Sequence, residues 1–488
     1  MNKHHVKWVA LLGLCSFLFF SCGSTPTGEP QSEDTSVTEE APEMTESEVQ
    51  EPEVQEPEVQ EPEVFTTVNF AQKLQKVLEE GTNEDALALF QELPPEYEDD
   101  LDMQLIYASL LVSAGKLDEA SNVTDKLLAS HPENSDVMML SVMLAKASGN
   151  TAQKNAKLKE LLKNDPHNSD ANVALADDQM LRRNYKLAGQ YYRKGLEKDP
   201  NHLDALSGYG QATYYIGDDR ASRAAFKKII ELDPDNSIAY SFLGKLDAAD
   251  ENYYSATKNI EKALSIDDDI FDYWLDYGQY LRYQGKFQEA ENAWIKAKDL
   301  SPNYFLGYAY LAGLYDEQNR LDESLEMYRK VVQYNPQYYF AYESIGMLAW
   351  HKNNYAEARA SFEKAFSANS DNVSYPLMIA ATYLKEKKVK ECKNFLTKVM
   401  KNRATDSLEY IMLRLYYDGL ADQRVAQRIA NENNRNLKGK MMYYYGLFNE
   451  IHGNDVQSKK YYTDVLAMNS PMFFEYRLAE WAVGGSLK

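Results

Sequence analysis

Cysteine is scarce: 488 residues hold three, Cys15, Cys22 and Cys392. Only Cys392 lies beyond the first 64 residues, so no disulfide can form within the main part of the chain and its fold must rest on packing. Histidine is nearly as rare, with seven. Neither a Gly-rich phosphate loop nor an HExxH zinc motif occurs, and the residues call for no cofactor. Positive charge is short, since 52 Lys and Arg stand against 75 Asp and Glu for a net charge of −23. That balance argues against nucleic acid as a partner, because phosphates need a basic surface. Long apolar runs are missing except over residues 8–20, which is too short to span a bilayer.

Residues 23–64 lack Lys, Arg, Phe, Tyr and Trp altogether, hold 14 Asp and Glu, and end in EVQEPEVQEPEVQEPEV. Such a segment cannot bury a core; its regular proline and dense like charge predict an extended, disordered acidic linker. About half of the net charge sits there and belongs to solvated chain. Ahead of it, Lys3 and Lys7 precede the apolar run, the pattern of a secretory leader over residues 1–21. Phe19-Phe20-Ser21-Cys22 resembles a bacterial lipobox. The resemblance implies cleavage before Cys22, acylation of Cys22, and a lipoprotein anchored in the membrane of a bacterial cell envelope, on the periplasmic side or at the surface.

What the chain has in abundance is tyrosine, 36 residues, and a period. Pro132, Pro166, Pro200, Pro234, Pro302 and Pro336 fall 34 residues apart or at a multiple of it. In the unit 271–304, Trp274, Tyr277, Gly278 and Leu281 occupy positions 4, 7, 8 and 11, and Ala290, Trp294, Ala297 and Pro302 occupy 20, 24, 27 and 32. These spacings place each set on one face of a helix. Small residues at 8 and 20 let the two helix backbones approach, and a large one at 24 fills the space beside the crossing. Gly285 breaks the chain between the helices and Pro302 stops the second. Three departures stand out: Lys154 in a small-residue slot, Pro376 at position 4, and Arg414 in place of a small residue within a short unit at 407–438.

This pattern resembles the tetratricopeptide repeat, or TPR. The resemblance implies an all-α fold, a right-handed α-solenoid superhelix of about twelve helix-turn-helix units. Residues 65–472 form the array, with the best repeats over 101–406, and 473–488 form an amphipathic capping helix. Such arrays hold a protein or peptide in a concave groove lined by the first helices, where positions 2, 5, 6, 9, 12 and 13 point. Those positions bring up Tyr214, Tyr215, Phe242, Asp272, Asp276, Arg282, Tyr283, Tyr310, Phe340 and Trp350, an aromatic and acidic set that could anchor a partner. Lys245, Asp316 and His351 share those positions. The Lys and Asn pair that clamps a chaperone's C-terminal carboxylate in some TPR modules, at positions 5 and 9, is missing from the well-registered units.

No catalytic constellation stands out. His131, His167 and His202 recur near the repeat spacing, but packed helices stand roughly 10 Å apart, whereas ligands must each lie within about 2.1 Å of a zinc ion. Cys392 sits in an alanine slot as a small core residue. The expected function is therefore a non-enzymatic, lipid-anchored scaffold for protein–protein interaction, in an envelope assembly or a binding-protein-dependent transport complex. The alternative is a surface adhesin for host or matrix protein.

Overall fold

A computed structural model describes residues 65–484 apart from 402, 421 and 422. Cys22, the leader and the acidic linker lie outside the described residues. The described residues form 25 α-helices and two short 3-10 turns, and no strand. The helices come as twelve successive pairs and one final helix. The chain divides between Leu232 and Asp233 into two compact bodies.

The first body holds α1 (Thr67–Glu80) with α2 (Asn83–Leu89), α3 (Leu101–Ser113) with α4 (Leu117–Ser130), α5 (Ser135–Ala147) with α6 (Thr151–Asn164), α7 (Ser169–Leu181) with α8 (Tyr185–Lys198), and α9 (Leu203–Tyr215) with α10 (Asp219–Leu232). Its core is a row of small clusters, each shared by neighbouring pairs, such as Met138, Val142, Leu158, Leu161 and Ala171. Lys154 is explained here. Its stem is buried in α6, and its ammonium meets both carboxylate oxygens of Asp178, from α7 of the next pair, at 2.7 and 2.6 Å. A buried cation is tolerated because the adjoining repeat supplies its counter-charge.

The second body begins with α11 (Ser237–Ala249) and α12 (Tyr253–Ile266), α13 (Phe271–Tyr283) and α14 (Phe287–Leu300), α15 (Phe305–Glu317) and α16 (Leu321–Tyr334), and α17 (Tyr339–His351) and α18 (Tyr355–Ala368). It continues with α19 (Ser374–Lys385) and α20 (Val389–Met400), α21 (Leu408–Asp418) and α22 (Gln423–Ala430), α23 (Arg435–Ile451) and α24 (Asp455–Ala467), and ends in α25 (Phe474–Val483). The expected crossing is seen at Gly278: a methyl there would come within 2.6 Å of Trp294 Cδ1. Trp294 is fully buried, and its indole N–H donates to Leu275 O at 3.1 Å. Gly346 receives Phe362 in the same way.

Every regular turn within a pair uses a left-handed residue at position 15. Gly285 has φ 76°, its N–H reaches Arg282 O, and the next N–H, of Lys286, reaches Leu281 O at 3.0 Å, which satisfies carbonyls that the helix end would leave open. Where glycine is missing, Arg183, Glu251, Asn319, Asn353 and Lys387 adopt φ of 57–60°. The turn geometry thus overrides the residue's own preference, at a local conformational cost.

Two departures in the sequence have local causes. Pro376 lies in the first turn of α19, where its missing N–H has no helical partner to lose. Arg414 is exposed and pairs with Asp418 at 2.7 Å. In the short unit its register has slipped, so position 414 no longer faces the crossing. Cys392 is buried with its thiol 3.7 Å from Ala380 O, and burial pushes that thiol up to about 12.

The final helix does more than cap. It packs on α23 and α24, as a cap would, and it also reaches back to α17. Around it a single cluster runs from Ala349 to Ala479 and unites residues of α17–α25, including Tyr375, Tyr416, Tyr443, Tyr444 and Phe448.

Candidate functional site: the face of the first helices

In the second body, Phe242 and Lys245 come from α11, Asp272, Asp276, Arg282 and Tyr283 from α13, Tyr310 from α15, and Phe340 and Trp350 from α17. Tyr283 and Tyr310 meet in one cleft of about 260 Å³, lined also by Gln279, Arg282, Trp294, Ala309, Gly313 and Leu314. The cleft sits between consecutive first helices and has the second-helix Trp294 as its floor. Tyr310 stacks on Trp294, centroids 5.1 Å apart. Gly313 opens the cleft, since a methyl there would meet nothing within 4 Å.

Charge frames this cleft in pairs. Arg282 donates to Glu317 at 2.7 Å across the two first helices, and its guanidinium lies 5.8 Å from the Tyr283 ring centre. On the α11 side, the Lys245 ammonium lies 3.4 Å from Asp276 Oδ2 and 5.2 Å over the Phe242 ring. Asp276 Oδ2 is buried and has no hydrogen-bond partner. Burial raises the Asp276 carboxyl above its ordinary range, and the nearby Lys245 only partly offsets this. Burial, with Asp276 second, also raises the Tyr310 phenol. Asp272 is exposed. The combination offers aromatic walls with paired charges beside them, which suits ring stacking and cation–π contact.

The aromatic set does not form one open stripe. Tyr283 stacks on Tyr253 of the preceding pair at 4.5 Å and 12°. In the first body, Tyr215 does the same on Tyr185 at 4.7 Å, and Tyr214 lies edge-on to it. A ring at position 13 therefore finds a partner at position 17 of the preceding unit, so repeat packing itself uses these tyrosines. Both still leave half their surface exposed, 51% in each case. Phe340 is 55% exposed and stacks on Tyr339 at 4.1 Å. Trp350 is half-buried beside Tyr355 at 5.1 Å. Neither lines the cleft that Tyr283 and Tyr310 share.

Sequence spacing missed a second feature of this face, which is that part of it is occupied. His351, at the end of α17, lies against Trp481 of α25, ring centres 4.4 Å apart and tilted by 35°, and Arg477 of α25 donates to Asp316 O at 2.9 Å and to Asn319 Oδ1 at 3.0 Å. The helical face of 474–481 was visible in the pattern of its residues, but nothing in the period said where it would dock. Two of the turn histidines pair with separate carboxylates. His167 pairs with Glu197, and His202 pairs with Asp170 while its Nδ1 caps the start of α9.

Comparison with known proteins agrees with the period. A family profile described as "Tetratricopeptide repeat" matches residues 77–144, and one described as "Tetratricopeptide repeat protein 21 C-terminal ARM domain" matches 283–406. The protein CTR9 homolog of Arabidopsis thaliana is 27% identical over 139 residues, which span 28% of this chain and only 13% of that protein. Among solved structures, a tetratricopeptide repeat protein from Parabacteroides merdae aligns over 51% of this chain and 98% of its own, at 16% identity and a TM-score of 0.39. YrrB, described as a TPR protein with an unusual peptide-binding site, aligns over 40% of this chain and 97% of its own, at 21% identity and a TM-score of 0.32. With helix pairs repeating every 34 residues and these two profiles matching within them, the chain is a tetratricopeptide-repeat protein.

Proposed function

We propose that this protein is a non-catalytic scaffold that holds a partner protein on its first helices, and that a lipid on Cys22 tethers it in a bacterial envelope. The observation that carries the binding half is the cleft between α13 and α15, lined by Tyr283, Tyr310 and Trp294, with the Arg282–Glu317 pair at its margin. A partner segment with an apolar or aromatic anchor and a basic residue fits that chemistry. The tether half rests on the leader and on Cys22 ahead of an acidic, proline-spaced segment. Such a segment gives the array reach from a membrane.

The cleft can be tested without disturbing the fold, because Gly313 is open. A photo-crosslinking residue placed at the exposed position 317, beside Arg282 at the cleft's margin, identifies in cells the captured protein, whose purified form is then titrated against variants. Gly313→Leu fills the cleft and abolishes capture with an unchanged melting temperature, and Tyr310→Ala weakens binding on the order of thirtyfold, as loss of a buried aromatic anchor does. Asp272→Asn, on the exposed rim, alters mainly the salt response. Full binding by the Gly313→Leu protein would place the partner elsewhere. For the tether, Cys22→Ala abolishes fatty-acid labelling of the chain, and labelling that survives that change rules the anchor out.

A further inference from the structure

The last helix is bound much as a ligand would be. Phe474, Arg477, Leu478 and Trp481 fall at i, i+3, i+4 and i+7, so one helical face carries all four. Phe474 lies against Phe362 at 5.9 Å and Tyr375 at 6.3 Å. Arg477 closes on the C-terminal end of α15 through Asp316 and Asn319, where the helix dipole and open carbonyls favour a cation. Leu478 is buried, and Trp481 packs with Leu325, Ile345 and Leu348 while lying against His351. Besides its packing on α23 and α24, α25 thus reaches the first helices α15, α17 and α19, and α15 and α17 lie well before the last repeat.

The fit has a flaw. Among the described residues four buried side-chain polar atoms have no hydrogen-bond partner, and two of them, Glu475 Oε2 and Arg477 Nε, belong to α25. A third, Ser374 Oγ, belongs to the residue whose carbonyl shares the Tyr444 hydroxyl with Glu475 Oε1, at 3.0 and 2.8 Å. Glu475 is fully buried, and an unsatisfied buried polar atom forfeits its hydration without return. At 10 residues, α25 is also shorter than a helix needs to persist alone, roughly 12–15 residues. It is helical because it is docked, and the docking is imperfect.

We propose that the face formed by the ends of α15 and α17 together with α19, α23 and α24 is a docking groove for an amphipathic partner helix, which α25 occupies in cis. The partner carries an aromatic residue, Arg, Leu and Trp at i, i+3, i+4 and i+7 and no carboxylate at i+1, and it displaces α25 on binding. This rests on the reading above only in its choice of the first-helix face. The cleft at Gly313 is not part of the groove, so Gly313→Leu leaves this second site intact.

The test uses the full chain and a fluorescein-labelled synthetic peptide of residues 472–484, in its native form and with Glu475→Gln. The chain bearing Arg477→Ala and Trp481→Ala together, its own helix loosened, binds the native peptide at least tenfold more tightly than the unaltered chain does. The Glu475→Gln peptide binds that chain more tightly than the native peptide. A full chain carrying Glu475→Gln alone holds its helix more firmly and binds the peptide less, so the two kinds of variant move in opposite directions. In the unaltered chain, amides of α25 exchange faster than those of α17. The proposal is overturned if the loosened chain, still folded over α11–α18 by hydrogen exchange, gains no affinity. It is equally overturned if α25 exchanges only together with α17. A concentration-dependent dimer of the unaltered chain that vanishes with Arg477→Ala and Trp481→Ala would make the occupant a second copy and overturn the assignment to a partner helix.

Discussion

Within the second body, α11–α16 and α17–α25 are built from the same repeat but held together differently. Over α11–α16 the core is a series of small clusters, as with Ala256, Ile260, Ala263 and Tyr273, or Leu275, Ala290, Trp294 and Leu311. Over α17–α25 one large cluster spans the whole stretch. It is tied across long sequence distances: Lys385 to Glu450 at 2.6 Å, Tyr416 OH to Tyr444 O at 2.8 Å, and Tyr444 OH to Ser374 O at 3.0 Å. The short unit around α21 and α22 lets α19 touch α23 directly. A linear array whose stability is a sum of neighbour terms thereby passes into a stretch with one shared core.

The largest expected effect comes from breaking the shared core. Tyr444→Ala empties a fully buried site and removes a hydroxyl that bridges Ser374 and Glu475, a loss of about 4 kcal/mol. Hydrogen exchange should then show protection falling together from α19 through α24; a loss confined to α23 and α24 would show that this end is still a simple stack. Gly278→Leu is the counterpart in the linear region. Its side chain collides with Trp294, costing about 3 kcal/mol by overpacking, and protection should fall around α12–α16 while α19–α25 keep theirs. Uniform loss from both would erase the distinction.

Smaller changes sharpen it. In the first body, Lys154→Ala strands Asp178 and should cost about 2 kcal/mol, measured by denaturant titration, with the effect limited to α5–α8. At the end with the shared core, burial, with Glu475 adding to it, raises the Glu343 carboxyl above its ordinary 4.5. Its folded form binds a proton more readily than its unfolded form does. Its contribution is therefore complete below about 4.5 and is lost as pH rises through the raised folded value. Glu343→Gln, which keeps an acceptor for Tyr375 OH, should stabilise the protein at pH 7.5 more than at pH 4.5 in thermal melts; an equal gain at both would mean that the carboxyl is not strained. The smallest expected effect is at a turn of the linear region. Glu251 has φ 58°, so Glu251→Gly should stabilise by roughly 0.5–1 kcal/mol through relief of the left-handed strain, read as a small rise in melting temperature.

Much of this was legible from residues alone, and for a definable reason. The crossing of Gly278 with Trp294, the alanine-like burial of Cys392 and the turn at Gly285 all depend on residues within one 34-residue unit. The cleft between α13 and α15 was legible in part. Position told which side Tyr283 and Tyr310 would take, but not that Tyr283 would stack on Tyr253 or that Tyr310 would share a cleft with it. Those contacts join two units, and their geometry depends on how one repeat seats on the next.

The period by itself determined the helix pairs, their crossings and their turns, because each is closed by interactions a few residues to one repeat apart. The apolar pattern of 473–488 also called for an amphipathic helix, of which the described part, Phe474–Val483, buries one face. Only the tertiary structure decided what that face meets. Arg477 reaches Asp316 across 161 residues, a contact produced by the accumulated seating of every intervening helix and by the slip at the short unit. Likewise, only the structure gave Lys154 its Asp178 and turned Arg414 to solvent. A local pattern states which atoms must leave water. The partners that receive them are chosen by packing between units that the pattern treats as identical.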